Sequence, residues 1–87
     1  MNNLKMDDKE IEDVIGILNE LQEDITVPKN VRIKIEKIIN SLKESAKPLI
    51  KINKALNDLD EIAADVNLQP YTRTQIWNVI SALEKTQ

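Results

Sequence analysis

Carboxylates and ammonium groups carry almost all the reactive chemistry available to this chain. Its 87 residues include fifteen Asp and Glu and twelve Lys and Arg, with no Cys and no His. Thiol nucleophiles, histidine triads, disulfides and thiol redox chemistry are therefore excluded, and a zinc centre lacks its usual ligands. A single Gly cannot build a glycine-rich phosphate loop. Two acidic groups remain: Glu20, Glu23 and Asp24, and then Asp58, Asp60, Glu61 and Asp65. Carboxylates act as general acid and base where a cleft shifts one pKa away from the other. Glu20, Asp24, Glu61 and Asp65 would also make an oxygen-rich metal site if their helix ends met. Bundle metal sites, however, place Glu and His at inward positions, and these acids lie beside the apolar stripes. The preferred reading is solvated helix surface. It assigns no catalytic, cofactor-binding or metal-ligating residue, and the chain is not expected to be an enzyme.

The bases are concentrated. Residues 1–28 hold two Lys against eight acids, residues 29–54 hold eight bases against two acids, and residues 55–87 hold two against five. Such an acidic–basic–acidic order predicts complementarity between neighbouring elements. The competing reading is a basic patch of Lys29, Lys34, Lys37, Lys47, Lys51 and Lys54 for an anionic partner such as a nucleic acid. Net charge −3 speaks against it, since nucleic-acid modules are usually basic. So does the spread of these residues around the helix.

The elements that position these groups are helices. Hydrophobic residues make up 41% and charged residues 31% of the chain, with little Gly, too little for tight strand turns. A first helix is predicted from about Asp8 to Glu23, with Asp7 and Glu10 as a capping-box-like start. Its stripe is Ile11, Val14, Ile15, Leu18, Leu21 and Ile25. Pro28 opens a second helix running to about Ser45, with Val31, Ile35, Ile38, Ile39 and Leu42 inward. Pro48 opens a third, with Ser45 as N-cap. There Leu49, Ile52, Leu56, Leu59, Ala63 and Val66 step as a strict heptad seam. A fourth spans about Tyr71 to Lys85, burying Ile76, Val79, Ile80 and Leu83.

The halves are related. Shifting the chain by 41 superposes residues 7–46 on 48–87, with identities that include Glu20/Glu61, Asp24/Asp65, Arg32/Arg73 and Ile35/Ile76. One αα-hairpin used twice is the economical explanation. A period near 40 is that of HEAT and armadillo repeats. Asp24, Pro28 and Val31-Arg32 resemble the HEAT turn, and Asp65 and Arg73 recur in the second copy. That resemblance implies that Asp24, Arg32, Asp65 and Arg73 are structural and link neighbouring repeats near the turn. Two hairpins are too few for a solenoid. The predicted fold is all-α: one domain over 1–87, a four-helix up-and-down bundle of two hairpins (7–46 and 48–87). Two stacked HEAT-like repeats are the alternative. Over its whole length the chain also resembles a small archaeal family, uncharacterised protein family 0147. The carrying segments are Ile25-Thr26-Val27-Pro28-Lys29-Asn30-Val31-Arg32 and Thr72-Arg73-Thr74-Gln75-Ile76-Trp77-Asn78-Val79-Ile80. The resemblance implies an all-helical fold and an archaeal source, and brings no reaction or ligand with it.

Four large apolar residues fall off the stripes. Ile33 and Ile50 point nearly opposite to theirs, and Trp77 and Ile17 lie about 110° and 90° from their stripe centres at 100° per residue. Several such residues in a small domain suggest a contact surface, with Trp a frequent hot spot. Arg73 precedes Trp77 by four, a spacing that lets a guanidinium lie on an indole. The expected function is a non-catalytic protein-interaction or self-associating accessory module using Ile33, Ile50, Trp77 and Ile17. A nucleic-acid accessory role for 29–54 is the alternative. No apolar run approaches the roughly 18 residues of a membrane span, and Met1-Asn2-Asn3-Leu4-Lys5 lacks the apolar stretch expected of a signal peptide. A cytoplasmic location is expected, without a cofactor or membrane partner.

Overall fold

The computed structural model describes residues 6–45 and 47–85, with side chains from residue 9 onward. Four helices follow one another: α1 (Met6–Glu23), α2 (Lys29–Lys43), α3 (Pro48–Ala63) and α4 (Pro70–Glu84). Their starts follow proline chemistry. Pro28 stands just before α2 with φ −56°, and Pro48 and Pro70 occupy the first turns of α3 and α4, where the missing N–H costs nothing. Although the proline moves by one place between the copies, Lys29 and Pro70 are equivalent positions, so α2 and α4 begin in register. Helix α1 begins at Met6 and thereby places Asp7 inside its first turn; the proposed Asp7–Glu10 capping box itself lies outside the described side chains. Ser45 is not the cap of α3. Lys47 stands there without a side-chain capping bond, and the Lys51 ammonium closes the preceding loop by donating to the Glu44 carbonyl at 3.1 Å.

Packing follows from the stripes. Each helix lies against two others, α1 on α2 and α4, α3 on α2 and α4, and neither diagonal pair makes a comparable contact. HEAT stacking would instead bring α1 onto α3 and α2 onto α4. The molecule is thus an antiparallel four-helix ring around one core, elongated at 42 × 19 × 18 Å. Leu18, Ile35, Leu59, Ile76 and Leu83 are wholly enclosed in it. Every predicted inward residue of α2 and α4 is buried, and Thr72 takes in the second copy the buried place of Val31.

The seam of α3 is corrected. Leu49 and Val66 are exposed and Leu56 is only partly covered, whereas Ile52, Ala55, Leu59, Ile62 and Ala63 form the buried face. A helix between two neighbours buries a broad arc at period 3.6, not a narrow 3.5 seam. Small Ala55 belongs to that arc although its side chain contributes little hydrophobic signal. Ile25 is corrected likewise. It and its counterpart Val66 are 86 and 88% exposed, because the helices end at Glu23 and Ala63 and the helical period lapses there.

Two core substitutions separate these seams. Leu59→Ala is expected to cost about 2–5 kcal/mol in urea unfolding, and Leu49→Ala less than about 0.5 kcal/mol. Equal losses would restore the heptad seam.

Candidate functional site

In an up-and-down ring the two turns inside the hairpins, 24–28 and 64–69, fall at the same end. They are built by one set of bonds used twice. Asp24 Oδ1 accepts the Thr26 amide at 2.8 Å, and Asp65 Oδ1 accepts the Asn67 amide at 2.8 Å. The Val27 amide returns to the Asp24 carbonyl at 3.0 Å, and the Leu68 amide to the Asp65 carbonyl at 3.2 Å. An aspartate that captures its own backbone two residues on is the side-chain version of a turn. The residue after it, Ile25 or Val66, is pushed to the tip, while Val27 and Leu68 swing inward and cap the core.

Arginine completes each turn. Arg32 Nε donates to the Val27 carbonyl at 3.1 Å. Arg73 reaches the equivalent Leu68 carbonyl at 3.4 Å, and also the Asp65 carbonyl at 3.0 Å and the Ala63 carbonyl. These oxygens include orphan acceptors left by the end of α3. The bonds stay inside each hairpin, so the expected link between neighbouring repeats is not made. With its guanidinium engaged on turn carbonyls, Arg73 is committed to the turn and not to the Trp77 indole.

The acids do not assemble into a centre. Among the described residues no three of Asp or Glu come together in a way that could hold a metal ion, and the Oδ1 atoms of Asp24 and Asp65 serve their turns. The Asp24 carboxyl is held below its ordinary value of 3.8, first by the Thr26 hydroxyl, which donates at 2.6 Å, then by the Thr26 amide and the charge of Arg32. A carboxylate held ionised in this way is poorly suited to proton transfer near neutrality.

The lysines are divided. Lys34 and Lys37 of α2 line one groove of about 210 Å³ with Asp58 and Glu61 of α3. Lys29 lines another of about 210 Å³ with Gln22, Arg32, Ile33 and Glu36. Lys47 and Lys54 are exposed, and Lys51 is tied to Glu44. The six bases therefore stand in different local surroundings.

The off-stripe apolar residues are separated too. Ile17 is partly covered and packs on the core, which widens the stripe of α1. Ile33 is exposed beside the α1–α2 groove near the turn end, and Ile50 is exposed in the first turn of α3 at the other end. Trp77 is 49% exposed on α4, diagonal to α2. Its counterpart in the first hairpin, Glu36, lines the α1–α2 groove, so Trp77 belongs to the α3–α4 side. Four exposed residues also escaped the sequence pattern: Ile25, Leu49, Val66 and Tyr71. The first three were counted in the inward stripes. Tyr71 had a usable signal, its place in a first turn directly after Pro70.

With this geometry the chain can be compared with known proteins. The model of an Uncharacterised protein family, UPF0147, matches residues 1–86. The chain belongs to UPF0147. It is 42% identical over 72 residues to a UPF0147 protein of Methanocaldococcus jannaschii, covering 82% of this chain and 77% of that one. A UPF0147 protein of Sulfurisphaera tokodaii is 34% identical over 85 residues, covering 97% and 96%. Among solved structures, the UPF0147 protein from Thermoplasma acidophilum shares 34% identity at TM-score 0.88, covering 95% of this chain and 99% of its own. A crystal structure of a protein of unknown function shares 36% identity at TM-score 0.81, covering 86% of each. The four-helix arrangement is thus that of the UPF0147 family. No helix among the described residues is long and apolar enough to cross a membrane.

Two measurements test the turns. Arg73→Ala is expected to cost about 1.5–3 kcal/mol and Arg32→Ala about 1 kcal/mol; equal losses would deny Arg73 its additional carbonyls. The lowered Asp24 carboxyl contributes stability that is fully present above its ordinary value of 3.8 and lost as pH falls through the lower folded value. Asp24→Asn keeps an oxygen acceptor but removes that titration, so the acid slope of unfolding should flatten. An unaltered slope would contradict it.

Proposed function

We propose that this UPF0147 protein is a non-catalytic protein-association module. The observation that carries this reading is the position of its large apolar side chains relative to a core already complete without them. Ile33, Ile50 and Trp77 stand in solvent while the ring of helices encloses Leu, Ile and Val throughout. Burying exposed apolar area of this kind is worth about 25 cal/mol per Å². A contact with an apolar centre and polar rim would gain most from Trp77. Ile17 drops out of this surface because the core already covers much of it. Ile33 and Trp77 serve different contacts, since they lie on opposite sides of the bundle.

Two features weigh against the other readings. The two grooves described, one between α2 and α3 and one between α1 and α2, are open surface features lined mainly by charged side chains, unlike the enclosed apolar pocket that small-molecule chemistry favours. Opposite Lys34 and Lys37 stand Asp58 and Glu61, whose charge offsets the part of the basic segment nearest to them and weakens attraction for phosphate.

Affinity capture from an archaeal cell extract tests the module. The full chain is compared with Ile33→Glu and Trp77→Glu variants shown to melt like the unaltered protein. Association predicts proteins held by the unaltered chain and lost from at least one variant. The same proteins recovered with all three baits would remove the reading.

A further inference from the structure

The internal repeat supplies its own control for which surface is specialised. Residues 41 apart occupy equivalent places in the two hairpins, so a feature needed only for folding should recur. The outer face where α1 meets α2 carries Glu12, Glu23, Lys29, Arg32, Glu36 and Lys43. At the equivalent places the face where α3 meets α4 carries Asn53, Ala64, Pro70, Arg73, Trp77 and Glu84. Four of these six charges are replaced, one of them by the only Trp of the chain. Asp60 runs the other way, standing where the first hairpin has Asn19. Thr74 and Ser81 extend the uncharged row along α4. Loss of charge together with gain of an aromatic ring is the compositional mark of an interface centre. Folding does not require it, because the charged counterpart packs its hairpin equally well.

The layout of the face matches that mark. Counting back along both helices from their shared turn, where Ala63 stands opposite Pro70, brings Trp77 level with Leu56. Both lie at the midpoint of their helices. Leu56 is partly covered and packs on the core, and Trp77 is half-exposed beside it. Asn53, Thr74 and Ser81 flank this pair, Asp60 stands one turn from Leu56, and Glu84 and Lys85 lie at one end.

We infer that the α3–α4 face pairs with the same face of a second copy of this chain, rotated by a twofold axis that passes near Trp77. Two arguments select a second copy. Around Trp77 the face carries few charges, Asp60 and the turn-bound Arg73 among them, and meets its own image with little like-charge repulsion, whereas the α1–α2 face would oppose glutamates and lysines in a register it must match. The size also fits. Sixteen residues of α3 give about 24 Å at 1.5 Å per residue, and the bundle is 19 Å wide, a projected footprint of about 450 Å². The accessible area of a ridged helix layer exceeds its projection, which brings the face to the lower end of the ~600–800 Å² per partner found in specific dimers. Such a contact gives a closed isologous dimer.

The single Trp makes the test direct. Sedimentation equilibrium of the full chain from about 1 μM to 1 mM is combined with Trp77 emission and iodide quenching over the same range. The expected result is a concentration-dependent monomer–dimer transition in which Trp77 emission shifts to the blue and quenching falls. Trp77→Glu, or Ser81→Glu where the former melts early, should weaken pairing by about 100-fold. Ile33→Glu, on the opposite side, should leave it unchanged. A monomer with quenchable Trp77 at every concentration overturns the proposal, as does a dimer lost in Ile33→Glu but kept in Trp77→Glu. This inference rests on the association reading yet fails separately from it. If the chain stays monomeric while Trp77→Glu releases a different captured protein, the second copy is excluded as occupant and association stands.

Discussion

Every helix here must cover an apolar arc wider than one neighbour can hide. With 15 to 18 residues each, none of the four has the length or propensity to persist alone in water. One hairpin buries half of each arc and leaves the other half open. Joining the two hairpins edge to edge closes the ring and covers both flanks of all four helices at once. That requirement explains why α1 meets α4 and α2 meets α3, and why HEAT-type stacking, which leaves one apolar side of each layer uncovered in a two-repeat array, is not adopted. It also fills the interior with Leu, Ile and Val.

The turns make the ring antiparallel and hold its end. A helix that stops exposes carbonyl oxygens, and here the means of satisfying them is carried by the sequence itself. Aspartate captures the amide two residues on, and arginine reaches back from the next helix to the freed carbonyls. The two copies share the Val27 and Leu68 carbonyls as equivalent acceptors, but Arg73 gathers more than Arg32 does. The same geometry sorts the apolar residues of each turn. Val27 and Leu68 close the core, and Ile25 and Val66 are left at the tip, although all four are similar in size and hydrophobicity.

Legibility followed the regularity of local structure. The helices, their proline-marked starts, the repeat and the inward rows of α2 and α4 could be read from spacing, because those rows keep one period from end to end. The seam of α3 could not, since a heptad through Leu49 and Leu56 and a broader arc through Ala55 and Ile62 are both consistent with its residues. Only the positions of α2 and α4 choose between them. Charge behaved similarly. The acidic–basic–acidic order suggested complementarity, but not that Lys34 and Lys37 would share a groove with Asp58 and Glu61. Wheel angles placed Ile33 and Trp77 off their own stripes without showing that they face opposite sides of the bundle.

The sequence by itself determined what is local: four amphipathic helices, the breaks at Pro28, Pro48 and Pro70, a hairpin used twice, and the absence of thiol and imidazole chemistry. Those properties depend on residues within a few positions of one another, where bond geometry and periodicity leave little freedom. Tertiary structure decided what depends on neighbours distant in the chain. It set which arc of α3 is buried and which carbonyls Arg73 reaches. It also left Trp77 half-exposed on α4. Burial is a property of two surfaces meeting, and a single helix carries only one of them.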